Sequence, residues 1–566
     1  MPTLQFKGKT FVQNHHLAVK YHQLVPQKKL SLTDKVSLHD NLIVQGDNLK
    51  ALKALLPTYA GKIKCIYIDP PYNTGNESWI YNDNVNSPMI QQWLNENKPV
   101  DKEDLTRHDK WLCMMMPRLK LLRELLHEKG VLFVSCDDNE LYNLRVLLEE
   151  LFTESNWVGT IVWRNVTDNN PSNVAIEHEY IICYAKNKES LEPVWKSKIS
   201  DSKEKLIEVG DKLIKENSKQ KDLQEAYTNW FKENKIFLGQ LYRYKFIDKD
   251  GVYTGSQSVH NPGREGYRYD VIHPITKKPC KQPLMGYRFP EATMKDLLDN
   301  KKILFGEDES KIIELKVYAK DYEDKLASVI QLDGRLGSYD LKEIFTENKK
   351  SFDNPKPVQL LKQIFSYFIS NDDIILDSFS GSGTTAHAVL ELNKEDGGNR
   401  KFILVEQEDY ANTITAERVR RVIKGVKTSK DENLKKGLGG TFSYFELGDP
   451  IEMESLLRGK KLPSFKEFAR YLFYTATGEE FEEKSINEKT GFIGESRNYE
   501  VYLFYKAELE WLKSNALTLE KLKELPKHKG KKRLVFAPTK YVDDHTLSEF
   551  RVEFCQLPYE IYRMQK

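Results

Sequence analysis

The chain has 566 residues, 40% hydrophobic and 30% charged; this excludes a fully disordered chain and exceeds one compact core, so three or four domains or subdomains are expected. Its 86 basic and 84 acidic residues leave a formal charge of +2, so a nucleic-acid surface has to be a local patch and not the whole molecule. No run approaches the roughly 18 apolar residues of a membrane span, and the six cysteines form no CxxC pair and have no histidine at zinc spacing. The expectation is a reduced, cytoplasmic protein with no membrane segment, no signal peptide and no metal site.

Short apolar runs at 42–44, 63–68, 131–135, 160–163 and 180–184 read as buried strands, with helical patterns at 111–126 and 141–152 between them. Strands alternating with helices predict an α/β fold with a mostly parallel, doubly wound sheet. After Lys186 the texture changes. Residues 200–234 are rich in Lys, Glu, Gln and Asp and read as one or two solvated helices, and 240–290 is rich in Tyr, Arg, Gly and Pro and reads as irregular β structure. The α/β pattern returns at Asn354, where "NPKPVQLLKQIFSYF" opens a helix with Pro357 in its first turn. A strand at 374–376, a glycine-bearing turn, a helix from Thr384 and a strand at 402–405 follow. The resulting division is one α/β domain in two pieces (1–190 and 351–441), an insert (191–350) and a small C-terminal α+β domain (442–566).

Two strand ends carry chemistry. In "ILDSFSGSGTTAHAVLEL", Asp377 ends a strand and Gly381 and Gly383 make the turn. Ligands of doubly wound sheets bind beyond the carboxyl ends of the strands, where glycine lets backbone approach closely and a helix N-terminus favours an anion. A GxG alone fits a dinucleotide site, a phosphate loop or a plain tight turn. "GSGTT" lacks the phosphate-loop lysine, and Ala386 holds the third glycine's place, which tolerates alanine. Glu406, at the end of the next strand, suits ribose hydroxyls; standing alone it would read as a solvated carboxylate. The other strand end is Asp69-Pro70-Pro71-Tyr72. Two prolines remove two N–H donors and leave a stiff row of acceptors, the Asp69 carboxylate and the carbonyls of Asp69 and Pro70. Such a row suits a bound amino group, and Tyr72 offers a ring on which a base stacks. A rigid turn with a capping aspartate is the plain alternative.

These motifs together resemble those of DNA amino-methyltransferases. Asp69-Pro70-Pro71-Tyr72 is similar to their catalytic motif, and Asp377-x-Phe379-x-Gly381-x-Gly383 to their S-adenosylmethionine motif. The catalytic motif comes first, as in the β class, with target recognition in between. By the same resemblance "QGDNLKALKALLP" places Asp47 near the cofactor's adenine, and "NPKPVQLLKQI" brings Lys356 and Pro357 to the cofactor side. The insert and the tail resemble the modification subunit of type III restriction-modification systems.

The resemblance implies a Rossmann-like methyltransferase sheet and S-adenosylmethionine as cofactor, held by Asp47, Lys356, Pro357, Asp377, Phe379, Gly381, Gly383, Thr384 and Glu406. It implies transfer at Asp69, Pro70, Pro71 and Tyr72 to N6 of an adenine flipped out of double-stranded DNA. A restriction subunit with nuclease and helicase activity is the implied partner, and a homodimer the implied assembly. DNA contacts are expected in the insert, at Tyr242, Arg243, Lys245, Arg264 and Arg268; a plain surface β module is the other reading. The basic stretch 417–427 is either a DNA-facing helix or the closing face of the α/β domain, and Asp138 reads as a helix cap, not half of a metal pair with Asp137. Competing functions are a stand-alone methyltransferase, N4-cytosine specificity, and a DNA-binding subunit without transfer; the intact Asp69, Tyr72, Gly381 and Gly383 argue against the last.

Overall fold

The computed structural model describes residues 3–74, 106–166, 173–197, 201–234, 241, 243–261, 263–322, 324–347, 352–451, 462–479, 481–527 and 530–557. The chain forms two compact units, one of Met1–Pro193, Ala327–Phe365 and Ile369–Lys566, the other of Val194–Leu326 with Ser366–Phe368.

Among the described residues, the first unit is built on a ten-stranded sheet. Its strands are β1 (His22–Pro26), β2 (Leu42–Gln45), β3 (Ile63–Ile68), β4 (Leu126–Cys136), β5 (Trp157–Arg164), β6 (His178–Ala185), β7 (Val329–Gln331), β8 (Ile374–Asp377), β9 (Lys401–Glu406) and β10 (Ser443–Pro450). Their order across the sheet is β1-β10-β2-β9-β8-β3-β4-β6-β5-β7. The run from β10 to β4 is parallel throughout. β6 runs antiparallel to both β4 and β5. The central strands are near-continuous apolar runs because both faces are covered, as parallel sheets require. Six helices that bear on the site are α1 (Asn48–Tyr59), α2 (Arg107–Leu125), α3 (Leu141–Phe152), α4 (Val358–Phe365), α5 (Thr384–Asp396) and α6 (Glu417–Lys424). Leu52 and Leu55 of α1, Trp111 and Leu122 of α2 and Leu148 of α3 share one buried cluster with Ile66, Val134, Leu376 and Val405 of the sheet.

Two boundaries differ from the sequence reading. β7, inside the stretch read as insert, pairs in parallel with β5, and β10, inside the stretch read as C-terminal domain, pairs in parallel with β2. β7 is three residues long and only its central Ile330 is buried, so it carries too little pattern to be read. Asp138 is not the cap of α3: the helix starts at Leu141 with Glu140 before it. Asp137 instead accepts from the Asn139 N–H at 2.9 Å, and Asp138 from the Tyr180 hydroxyl at 3.0 Å.

A separate four-stranded sheet lies further along the same unit, in the order Phe492–Glu495, Tyr499–Leu503, Lys532–Ala537, Val552–Gln556. It buries apolar side chains on both faces. In the second unit the helices Asp201–Glu216 and Gln220–Asn234 are not merely solvated, since Leu206, Leu223 and Tyr227 pack with Ile247 and Val252. All six cysteines are buried free thiols. No described helix is long and apolar enough to cross a membrane.

Candidate active site

Asp69 follows β3 at its carboxyl end, and several elements fix the turn behind it. Trp111 of α2 donates its indole N–H to the Pro71 carbonyl at 2.7 Å. Asn73 adopts a left-handed φ of 62°, a conformation asparagine tolerates better than most residues. Its buried amide donates to Glu140, which also accepts from His108 at 2.7 Å and Asn143 at 2.9 Å. The turn is thereby held from both flanking helices.

The Asp69 carboxylate meets Lys356 Nζ at 2.9 Å through Oδ2 and the Tyr72 hydroxyl at 2.8 Å through Oδ1. The same hydroxyl lies 2.8 Å from Glu179 Oε2, so its one proton is shared between two carboxylates, and it accepts from Lys356 Nζ at 2.9 Å. Tyr72, read from the motif as a stacking ring, therefore also has a hydroxyl at the centre of a charged cluster. Burial first, then the Asp69 and Glu179 charges, push the phenol well above its ordinary pKa, so it remains an O–H group. Lys356, read as a cofactor residue, sits at the Asp69 carboxylate. Its backbone carbonyl accepts from Thr384 Oγ1 at 3.1 Å, and the Val358 N–H after Pro357 donates to Asp340 at 3.0 Å. The Lys356-Pro357 turn thus joins the first turn of α5 to Asp69.

At the end of β8, Asp377 is buried and accepts from the Phe379 N–H at 3.1 Å and from Thr385 Oγ1 at 2.6 Å. Gly381 and Gly383 take φ of 50° and 80°. Gly383 caps the N-terminus of α5, and a Cβ there would stand 3.2 Å from the Thr415 carbonyl. Glu406, at the end of β9, accepts from the Gly381 N–H at 2.7 Å and from the Glu408 N–H at 3.1 Å. Burial raises the carboxyls of Asp377 and Glu406 each to about 7, against the lowering pull of these hydrogen bonds. Asp47 is the N-cap of α1, accepting from the Lys50 N–H at 3.0 Å. Its neighbour Asn48 reaches the site instead, donating to the Ser378 carbonyl at 3.1 Å while accepting from Arg118 at 2.6 Å.

One cavity of about 770 Å³ joins these ends. Asp69, Pro71, Lys356, Asp377, Phe379, Gly381, Thr384 and Glu406 line it, together with Asn48, Arg118, Phe352 and Tyr410, which the motifs did not point to. Asp47, Pro70, Tyr72, Pro357 and Gly383 support it from outside its lining.

Residues 63–417 match the model of the N6/N4 DNA methylase family. The chain belongs to this family. Over 417 residues it is 48% identical to the type III restriction-modification enzyme EcoP15I Mod subunit of Escherichia coli, covering 70% of this chain and 64% of that one. It is 32% identical over 433 residues to the StyLTI Mod subunit of Salmonella typhimurium, covering 73% and 59%. It is 28% identical over 406 residues to the type II methyltransferase M.KpnI of Klebsiella pneumoniae, covering 67% and 82%. The chain thus spans about three fifths of the length of the two Mod subunits it matches.

Around the cavity, three further residues escaped the motif reading. Glu179 lies just before the apolar run 180–184 and carries no motif of its own; it falls inside β6 (His178–Ala185). Because β6 runs antiparallel, its first residues arrive at the edge where the parallel strands end. Asn165 follows β5 and donates to Glu179 Oε1 at 2.7 Å. Arg418 of α6 is fully buried and donates to Ser382 Oγ and Thr384 Oγ1, each at 2.9 Å. The 417–427 stretch is accordingly a closing face that props the glycine turn, and Arg418 is not a DNA-facing residue. In the insert, Lys245, Arg264 and Arg268 are exposed, while Arg243 is half-buried and packs over the rings of Tyr244 and Tyr322 at 5.8 and 5.7 Å. Tyr242 lies outside the described residues.

Proposed function

We propose that this chain transfers the methyl group of S-adenosylmethionine to N6 of an adenine in double-stranded DNA. We further propose that it works as the modification subunit of a type III restriction-modification enzyme, as a homodimer beside a nuclease-bearing partner. The observation that carries the transfer reading is the single cavity shared by Asp69 and the Gly381 turn. The Mod relatives support the assignment to a restriction-modification enzyme. The choice of adenine over cytosine rests on the motif resemblance.

The residues present fit the cofactor. Ser378 and Ser380 line the cavity with buried hydroxyls that have no hydrogen-bond partner among the described residues. Glu406 offers a buried acceptor for a ribose, and Phe352 and Tyr410, edge to face at 5.4 Å, give an apolar wall for a purine. A Cβ on Gly381 would stand 3.2 Å from the Phe352 ring, so the bare backbone keeps this corner open. Bound there, S-adenosylmethionine supplies a methyl group already activated on a sulfonium.

The chain's own task is to make an amine nucleophilic. The lone pair of an exocyclic amine is delocalised into its ring. An Asp69 carboxylate accepting from one N–H, and the Pro70 carbonyl from the other, favour a tetrahedral nitrogen with the lone pair free. Pro70 and Pro71 present no backbone N–H to compete for those acceptors. Placement and fixed acceptors carry the rate, with no covalent intermediate. In a duplex the amine is reached only by flipping the base.

Expression in a host lacking DNA methylation, with modified bases mapped across its genome, tests the reading. The expected result is N6-methyladenine at one short sequence, absent from an Asp69→Ala control. An unmodified genome overturns it, and N4-methylcytosine at the mapped site overturns the adenine assignment.

A further inference from the structure

Lys356 Nζ stands 2.9 Å from Asp69 Oδ2, 2.9 Å from the Tyr72 hydroxyl and 3.2 Å from Glu179 Oε2. Three acceptors match the three donors of an ammonium. Lys356 therefore occupies Asp69 where, on the function proposed above, the target amine has to meet it. Burial works against the Lys356 charge, but Asp69 and Glu179 outweigh it and hold its pKa above the ordinary value. A buried ammonium that stays charged needs a carboxylate partner at every stage. Glu179 is already at hand, anchored by Asn165, and the Asn165 Oδ1 is itself buried with no partner among the described residues.

We infer that Glu179 is a positioning residue of the transfer reaction: it retains the Lys356 ammonium while the base amine takes the Asp69 carboxylate. Without the Glu179 charge, Lys356 pairs with Asp69 alone, and a neutral amine competes against an ammonium for the same oxygens. Glu179 thus acts through Lys356 and does not touch the reacting atoms. This deepens the proposed function and rests on it.

A double-mutant cycle on the full chain tests the coupling. Single-turnover methyl transfer at saturating S-adenosylmethionine and DNA is measured for the unsubstituted chain, Glu179→Gln, Lys356→Met and the pair. Glu179→Gln is expected to lose about tenfold or more with Lys356 present, the scale of one charge-assisted hydrogen bond. With Lys356→Met already in place the further loss should stay under about threefold, whereas uncoupled effects would multiply. Cofactor affinity of Glu179→Gln, by titration calorimetry, should match the unsubstituted chain within about twofold. Equal loss in both backgrounds, or no loss in either, overturns the inference. If Glu179→Gln melts early, Asn165→Ala takes its place in the cycle; it frees Glu179 without removing charge, and its loss too should appear only with Lys356 present. Absence of transfer by the unsubstituted chain on every DNA overturns the proposed function instead.

Discussion

Leu376 of β8 lies opposite Ile66 of β3 in parallel register. That one pairing brings together two motifs separated by the whole insert, since Asp377 and Asp69 then leave neighbouring strands at the same edge. On the other side of β8, Leu404 of β9 pairs with Asp377, so Glu406 joins the same edge. In doubly wound sheets this carboxyl edge is where ligands bind.

Asp69→Asn keeps the side chain's shape and removes the charge that Lys356 and, on the proposed mechanism, the target amine both use. Loss of one placed electrostatic group costs about a hundredfold or more in rate. Cofactor affinity should hold, because on the proposed mechanism the Asp69 carboxylate acts on the amine and not on the sulfonium ligand. Methyl transfer from a tritiated donor, set beside calorimetric binding, separates the two. Transfer near the unsubstituted rate would remove Asp69 from the mechanism.

Gly383→Val should fail at cofactor binding instead. The position has φ of 80°, and the new Cβ would stand 3.2 Å from the Thr415 carbonyl. A non-glycine residue in left-handed backbone costs about 1–2 kcal/mol before any clash. The turn is expected to shift, with S-adenosylmethionine affinity falling about tenfold or more. Unchanged affinity in a folded variant would place the cofactor elsewhere.

On the proposed ribose role of Glu406, cofactor binding should depend on pH. Burial raises its carboxyl from 4.5 to about 7, and Asp377 moves likewise from 3.8 to about 7. Both pKa values are raised in the folded state, so their contribution to stability is fully present at low pH. It is lost as pH rises through about 7. An ionised Glu406 accepts two ribose hydroxyl bonds better than a protonated one, so cofactor affinity should move the other way, rising by about tenfold between roughly pH 6 and 8. In Glu406→Gln the melting temperature should depend less on pH between about 4.5 and 7, where the raised carboxyl loses its contribution, and the rise in affinity should vanish. An affinity that is flat with pH in the unsubstituted chain would take Glu406 out of the ribose site.

Much of this was legible in the sequence for a physical reason: β3, β8 and β9 are short apolar runs stopped by an acid, and both glycines sit where backbone must turn left-handed. What was not legible depends on direction and burial. Glu179 opens a strand, and only the antiparallel run of β6 turns that opening into an active-site position. Arg418 sits in a sequence, "ERVRRVIK", whose charge suggests a solvent face; α6 packs so that this one guanidinium points inward to Ser382 and Thr384. Asp47 has the residue type of an adenine contact and the position of a helix cap: one carboxylate oxygen accepts from the Lys50 N–H, and the other faces Arg118 of the cavity lining at 4.0 Å.

Tyr72 decides between ring and hydroxyl. From the motif alone, Tyr72→Phe should cost little, because the flat surface for the base remains. The structure changes that expectation. The hydroxyl touches Asp69, Glu179 and Lys356 within 2.8–2.9 Å, so Phe removes a shared proton between two carboxylates and one of the acceptors of Lys356. Hydrogen bonds to charged groups contribute about 1.5–3 kcal/mol, or roughly a tenfold to hundredfold loss of rate. Tyr72→Ala should lose this and, where the ring stacks on the flipped base, a further 1–3 kcal/mol or so. The two parts respond differently to the substrate. A mismatched target adenine costs less to flip, so the step from Phe to Ala should shrink on mismatched DNA, while the step from Tyr to Phe should not. Transfer rates of both variants on matched and mismatched duplexes read the steps separately. Phe equal to Tyr would make the hydroxyl a bystander; Phe equal to Ala would leave the ring no part in holding the base.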